Sequence, residues 1–162
     1  MKEIYQRRSI RSYTDREIND GDLIEIVKAG MNAPSAMNKK LWEFIVIKDK
    51  EIMANLSNLA PTAFMLNKCN KAIVVIGKKE SKYLEQDLSA ATQNILLMST
   101  SLNIASCWIG VYPELEKESY AKKVLNIPDE YMVLSVITLG YTDKEKDANN
   151  NFNKEKIHYD MF

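Results

Sequence analysis

The sequence predicts one domain that contains both helices and strands, and three observations support this. The length of 162 residues suits a single hydrophobic core. Four apolar runs rich in β-branched residues have the composition of buried strands. The segments between them carry apolar residues every three or four positions, as amphipathic helices do. We find neither an internal repeat nor a compositional boundary, so we expect residues 1–162 to form one domain.

The first half of the chain predicts a short opening helix over residues 2–8 and a second helix over residues 20–31. Asp20 or Asp22 is the expected cap of the second helix, whose four periodic apolar residues share one face: Leu23, Ile24, Val27 and Met31. Three further elements are expected before the midpoint. They are a strand over 42–48, a helix over 49–59 capped by Asp49 with another helical turn over 62–66 after Pro61, and a strand over 71–77.

The longest periodic segment, residues 83–103, predicts a central helix with six regularly spaced apolar residues: Leu84, Leu88, Ala91, Ile95, Met98 and Leu102. Leu96 and Leu97 widen this stripe beyond one face, which indicates a helix covered on more than one side and favours a partner subunit. A strand over 105–111, a helix from Pro113 to about residue 125 and a strand over 131–141 complete the predicted elements.

The last segment, residues 142–162, begins polar and then regains apolar residues at alternating positions: Ile157, Tyr159, Met161 and Phe162. Free termini normally stay polar, so this ending needs an apolar surface to cover. It could dock on the core of its own chain. Alternatively, it could reach a twofold-related copy and add a strand there, which would make an obligate dimer.

Composition excludes several classes of function. Lys plus Arg and Asp plus Glu both number 22, so no global charge attracts nucleic acid or an anionic membrane. We find no membrane-spanning run and no secretory signal, and therefore expect a cytoplasmic protein. Cys69 and Cys107 lack metal-site spacing, and the single histidine, His158, argues against a hydrolase triad. Glycine-rich phosphate loops are also missing from the sequence, so arginines must bind any phosphate.

Arg7-Arg8-Ser9-Ile10-Arg11 is the first candidate binding motif. A guanidinium presents a planar fork of donors that suits phosphate oxygens and tolerates partial burial, so the motif favours a phosphorylated ligand. The alternative is the solvated end of a short helix, where cations interact well with the helix dipole.

Ala33-Pro34-Ser35-Ala36-Met37-Asn38 is the second candidate motif. It is a loop of small residues that ends in an amide, which can donate and accept at the edge of a polar heterocycle. An ordinary connection would carry similar residues. The loop leads directly into the predicted strand at residue 42, however, and ligands commonly bind at such strand ends.

Four motifs together resemble those of the nitroreductase family of FMN flavoproteins, in order and spacing along nearly the whole chain. They are Arg7-Arg8-Ser9-Ile10-Arg11-Ser12-Tyr13, Ala33 to Asn38 leading to Trp42-Glu43-Phe44, Cys107-Trp108-Ile109-Gly110, and Ile157-His158-Tyr159. The resemblance implies an α+β fold with a mainly antiparallel central sheet flanked by helices. It also implies an intertwined homodimer with FMN at the interface, in which residues 142–162 reach the partner subunit.

The resemblance also implies the roles of individual residues. Arg7, Ser9 and Arg11, with Arg8 nearby, would bind the phosphate, the ribityl chain and the pyrimidine edge of FMN. The loop residues Pro34, Ser35, Ala36, Met37 and Asn38 would cover the flavin of the opposite subunit. Ile109 and Gly110 would lie beside the ring, with a backbone N–H directed at flavin N5. No side chain need act as acid or base, and no metal is implied.

The implied activity is ping-pong hydride transfer from NAD(P)H, the co-substrate, through FMN to a nitroaromatic, quinone or similar acceptor. The alternative is a flavin-binding sensor or carrier without turnover. A small module that binds nucleic acid or protein through its arginines is disfavoured by the zero net charge and by the lack of a basic stripe along the chain.

Two departures from the family pattern bear on function. Lys39-Lys40-Leu41 replaces the usual Gln-Gln-Pro, which favours anionic acceptors. Asn149 and Asn151 stand where the family commonly has a basic pair near the phosphate, which weakens phosphate binding unless Lys154 or Lys146 takes the place of that pair.

Overall fold

The computed structural model describes residues 2–144 and 147–162. Its helices are α1 Glu3–Gln6, α2 Asp20–Met31, α3 Lys50–Leu56, α4 Leu84–Ser101 and α5 Leu115–Leu125. Its strands are β1 Trp42–Ile47, β2 Lys71–Lys78, β3 Ala105–Gly110 and β4 Tyr131–Gly140. Short 3-10 turns lie at Ala36–Asn38, Ser57–Leu59, Pro61–Asn67 and Lys154–Lys156. None of the helices in these described ranges is long and apolar enough to cross a membrane.

The four strands form one antiparallel sheet in the order β1-β2-β4-β3. The two central strands, β2 and β4, are almost continuously buried because helices cover both faces of the sheet. The edge strands β1 and β3 instead mix buried with exposed positions. The predicted α+β fold with a mainly antiparallel sheet flanked by helices is confirmed.

Each face of the sheet carries its own apolar cluster. On one face α3, α5 and the turns between residues 57 and 67 pack against the sheet, with Met53, Leu56 and Ala121 fully buried. On the other face α2 and α4 pack together, with Ile26, Leu88 and Ile95 at the centre. The middle of the sheet is therefore covered on both faces, so a ligand can bind only at the edges or corners of the sheet.

Two predictions about helix ends were wrong, and one was confirmed. The opening helix ends at Gln6 rather than residue 8, since Arg7 already has an extended ψ of 125°. The cap of α2 is Asn19, whose Oδ1 accepts from the backbone N–H of Asp22 at 2.8 Å, and not Asp20 or Asp22. Asp49 caps α3 as predicted, by accepting from the N–H groups of Glu51 and Ile52.

The buried face of α2 also differs from the prediction. Leu23, Ile26 and Gly30 are the buried positions, whereas Ile24 and Met31 are about half exposed. Gly30 explains the rotation, because a Cβ there would come within 3.0 Å of the Ile95 side chain on α4. The absence of that Cβ lets the two helices approach closely, and the approach turns Ile24 and Met31 outward.

Candidate functional site

The first candidate motif lies in extended backbone along the edge strand β3. Ser9 forms a parallel bridge with Ser106, and the Ile10 N–H donates to the Ser106 carbonyl at 3.0 Å. Ile10 is the buried residue of the motif, whereas Arg7, Arg8 and Ser9 are partly exposed and Arg11 is exposed. Arg7 is the C-cap residue of α1, with its N–H donating to the Glu3 carbonyl at 2.8 Å, so the helix-end alternative holds for Arg7, whereas Arg8 and Arg11 lie beyond the helix.

Tyr13 fixes the far end of this segment. Its hydroxyl donates to the Ile10 carbonyl at 2.7 Å and lies 2.6 Å from Oγ1 of Thr138 on β4. Burial raises the pKa of the phenol well above its usual value, so the donor proton stays in place at physiological pH. A backbone hydrogen bond from the Thr14 N–H to the Tyr141 carbonyl at 2.8 Å holds the chain directly after Tyr13. Arg11 and Ser12 thus project from a backbone held on both sides.

A cavity of about 330 Å³ opens beside these two residues. Its lining combines three cationic side chains from separate parts of the chain, Arg11, Lys68 and Lys144, with the exposed ring of Phe64 and with Ser9, Ile10 and Ser12. The site offers positive charge, hydroxyl groups and one aromatic face, which suits an anionic ligand with a planar portion. The sequence reasoning missed Lys68, Lys144 and Phe64, because no local pattern brings residues so distant in sequence to one cavity.

Arg7 and Arg8 are held by the C-terminal segment of the same chain. The Arg8 guanidinium donates to the Asp147 carbonyl, and Arg8 lines a second cavity of about 280 Å³ that Lys144 also borders. Asn149 donates from Nδ2 to the Arg7 carbonyl at 3.3 Å, and its backbone N–H donates to the Tyr5 carbonyl at 2.8 Å. Asn149 therefore positions the arginine motif.

Two other positions proposed for a phosphate contact, Asn151 and Lys154, line neither cavity. Asn151 and Lys154 are exposed, and Lys154 begins the last 3-10 turn. Lys146 lies outside the described residues. Among the lysines that the structure describes after residue 141, Lys144 borders both cavities beside the arginine motif.

The second candidate motif is a tightly held loop with an unusual backbone. Met37, Asn38 and Lys40 all have φ between 50° and 55°, a left-handed conformation that is costly for residues other than glycine. Ser35 holds the loop, because its carbonyl accepts from the Asn38 N–H at 2.9 Å and its Oγ from the Lys40 N–H at 3.0 Å. The Met37 side chain is 75% exposed at the tip of the loop.

Within one chain the two motifs lie at diagonally opposite corners of the sheet. The arginine motif lies on the outer side of β3 and the loop precedes β1, the other edge strand, so four strand spacings of about 4.8 Å, or about 19 Å, separate them. The two motifs are also offset along the strands. Ser106 pairs with Leu139 of β4, whereas Trp42 aligns through Gly77 with Met132 of β4. The distance along β4 from Met132 to Leu139 is about 24 Å. Within one chain, the structure therefore keeps the loop apart from the arginine motif.

The third motif lies at the end of β3. Ile109 is buried, whereas Gly110 is exposed, and a Cβ placed on Gly110 would meet no atom within 4 Å among the described residues. The preceding Trp108 is 36% exposed. This end of the edge strand therefore has open space above its backbone, into which a flat ligand or another chain could fit.

The sequence of this chain is similar to those of known proteins. The model of the nitroreductase family matches residues 4–64 and 58–141. A relative from Archaeoglobus fulgidus is 46% identical, covering 98% of this chain and 95% of its own length, and is provisionally named an NADH dehydrogenase/NAD(P)H nitroreductase.

Solved structures agree with this relationship. A structure of an FMN-dependent nitroreductase from Clostridium difficile has a TM-score of 0.94 at 36% identity and covers 99% of each chain. A second, from Desulfovibrio desulfuricans, is provisionally named a nitroreductase and was determined in complex with FMN. It has a TM-score of 0.84 at 26% identity over 99% of this chain and 96% of that one.

Proposed function

Because the chain belongs to the nitroreductase family, we propose that it is an FMN-dependent oxidoreductase. It takes electrons from NAD(P)H and delivers them to a nitroaromatic, quinone or similar acceptor in a ping-pong cycle. The relatives' names support the cofactor and the co-substrate. The observation in this structure that carries the proposal is the extended, firmly held arginine motif beside a cationic cavity.

The residues present suit FMN. From Arg7 to Arg11 an extended backbone spans about 13 Å, at roughly 3.3 Å per residue, and it carries a guanidinium at each end with the Ser9 hydroxyl between them. This spacing suits a ligand with an anionic phosphate at one end and a polar ring at the other. Charge-assisted hydrogen bonds contribute about 1.5–3 kcal/mol each, so Arg7 and Arg11 together could hold such a ligand firmly.

When bound, FMN supplies the redox chemistry, accepting hydride from one substrate and returning it to the next. The chain supplies the binding and the electrostatics. Arg7 and Ser9 bind the phosphate and ribityl end, while Arg11 at the ring end stabilises negative charge that develops on reduction. The open backbone at Ile109 and Gly110 admits the ring. The buried phenol of Tyr13 keeps Arg11 in register without itself exchanging a proton.

A homodimer completes this site. The loop of Pro34 to Asn38 cannot reach the arginine motif of its own chain, so in our proposal a second copy supplies it. The C-terminal residues support this arrangement, because Tyr159, Met161 and Phe162 are all more than three-quarters exposed and do not dock on their own core.

A surface for the C-terminal segment lies beside the edge strand β1. The apolar side chains of Ile24, Met31 and Val46 line a groove of about 360 Å³ there. Within the segment 142–162, Lys144, Asp147 and Asn149 stay beside the arginine motif of their own chain, and the last residues would reach this groove on the other copy. There the alternating apolar residues from Ile157 onward could pair with β1 as an added strand. A chain truncated after residue 155 should then be monomeric by light scattering, whereas a stable truncated dimer would contradict the exchange.

Two lysines of the loop bear on the choice of acceptor. Lys39 and Lys40 lie exposed on the loop that would face the flavin of the other copy, which favours anionic acceptors. A flavin-binding sensor or carrier is the second candidate. The observation that favours it is Asn149, which bonds to the Arg7 backbone where the family resemblance implies a basic residue for the phosphate.

One set of measurements tests both functions. Purified protein should carry the yellow flavin absorbance and catalyse steady NADH or NADPH oxidation when a quinone is added, with parallel double-reciprocal lines. Flavin bound without turnover above that of free FMN would favour the carrier, and failure of the protein to bind FMN would contradict both. Arg7→Ala should weaken FMN binding about tenfold or more, since it removes a charge-assisted contact.

A further inference from the structure

A buried carboxylate on α4 holds the loop that carries Asn38. Asp87 is 6% exposed, and its Oδ1 accepts a hydrogen bond from the backbone N–H of Ala36 at 3.0 Å. This is a long-range contact, because the two residues are 51 positions apart in sequence. We propose that Asp87 is a positioning residue, which fixes the loop of residues 35–40 in the conformation that the flavin site requires.

The burial of Asp87 is costly, and its surroundings offset little of that cost. Oδ2 has no hydrogen-bond partner among the described residues although it is fully buried. A buried carboxylate with an unsatisfied oxygen is destabilising, and an alanine or leucine would suit the buried face of α4 better. The location in the first turn of α4 helps the charge, because the positive end of the helix dipole lies there. A purely structural requirement of the core does not explain this side chain.

The loop needs the support that Asp87 provides. Three of its residues, Met37, Asn38 and Lys40, adopt left-handed backbone that L-residues disfavour. Ser35 holds the loop from within through its carbonyl and its Oγ. The Asp87 side chain ties the loop to the long helix α4 of the core, so its hydrogen bond transmits the rigidity of α4 to the loop.

The proposal rests on the proposed function, in which this loop covers the flavin bound by the other copy. A loop that is already in its binding conformation loses less conformational entropy when the ligand binds, so a rigid loop raises affinity. Removing the Asp87 contact should therefore weaken FMN binding through the loop. The contact can be tested separately from the charge, because the substitution Asp87→Asn keeps an oxygen acceptor while removing the negative charge.

The test compares four variants of the full-length protein. Asp87→Ala removes the acceptor, Asp87→Asn keeps it, and Asp87→Ser keeps a small polar group that is too short to reach Ala36. Glu85→Ala is the matched control, since Glu85 also lies in the first turn of α4 but is exposed. Two quantities are measured for each variant: the FMN dissociation constant by fluorescence titration, and hydrogen–deuterium exchange of the amides at residues 36–40.

We expect Asp87→Ala to weaken FMN binding about tenfold or more and to speed exchange in the loop. Asp87→Asn and Glu85→Ala should stay within about threefold of the wild-type dissociation constant. Wild-type affinity in Asp87→Ala would overturn the proposal. So would an Asp87→Asn variant as weak as Asp87→Ala, because the charge rather than the contact with the loop would then be responsible.

Two further outcomes are separated by the design. Should Asp87→Ala fail to fold, Asp87→Ser removes the same contact, and unchanged affinity and exchange in that variant would overturn the proposal. If the wild-type protein itself binds no FMN, the proposed function fails. The exchange measurement still decides the role of Asp87 in that case, since slow loop exchange in Asp87→Ala would refute the positioning role.

Discussion

Removing the charge of Arg11 should lower the reduction potential of bound FMN. A unit charge about 4 Å from another contributes about 1 kcal/mol in water and about 4 kcal/mol near a protein surface. Arg11 is exposed, and Lys68 and Lys144 remain in the same cavity, so we expect Arg11→Ala to cost the reduced flavin only about 1–2 kcal/mol. For a two-electron couple this equals a fall of about 20–40 mV.

The assay is equilibration of the FMN-loaded variant with a redox dye of known potential, followed by absorbance. Arg16→Ala is the matched control, because the Arg16 guanidinium lies over the Tyr141 ring, 3.8 Å from its centroid, and does not line the cavity. FMN binding to Arg11→Ala should weaken as well, by about tenfold for each 1.4 kcal/mol lost. A potential equal to that of the wild type, with FMN still bound, would refute the electrostatic role of Arg11.

Three further predictions concern glycines, the Tyr13 hydroxyl and pH. Gly110→Ala should leave the free energy of unfolding of the apoprotein unchanged but weaken FMN binding. Gly140→Ala should lower the free energy of unfolding by about 1–3 kcal/mol in denaturant titrations, because its Cβ would lie 2.7 Å from the held Tyr13 ring. Equal stability of the two variants would contradict this. Tyr13→Phe should lose about 1–3 kcal/mol of stability and some FMN affinity through the freed Ile10 carbonyl, and the exposed Tyr5→Phe should lose neither. Burial raises the pKa of the Cys69 thiol to about 11, above its usual 9. The contribution of the thiol to stability is therefore complete below pH 9 and is lost as the pH rises towards 11. Cys69→Ala should flatten the dependence of the free energy of unfolding on pH in this range.

Local patterns predicted the regular elements well because each pattern reports one element at a time. The apolar runs at 42–48, 71–77, 105–111 and 131–141 all became strands, and Asp49 became a cap. The same reasoning failed where a neighbouring element decided the outcome. The buried face of α2 rotated because Gly30 permits close approach to Ile95, which no window of the α2 sequence contains.

The residues of the candidate site were likewise predicted only in part from the sequence. The arginine motif and the loop could be identified from their residue types, and both have the firm backbone that a binding site needs. Lys68, Phe64 and Lys144 could not be found, since their approach to Arg11 depends on the packing of three separate segments. Asp87 did leave a signal, because a charged residue on the apolar stripe of a helix is unusual, three positions after Leu84 and four before Ala91.

The sequence by itself determined the family, the kinds of element and the chemistry of the motifs, because these depend on residue types in short, ordered patterns. Only the tertiary structure decided the distances between motifs. It placed the arginine motif and the Asn38 loop at opposite corners of one sheet, since strand order and register, which no local pattern encodes, set the separation of two edge strands. That separation is the physical reason why we infer that a second copy of the chain completes the site.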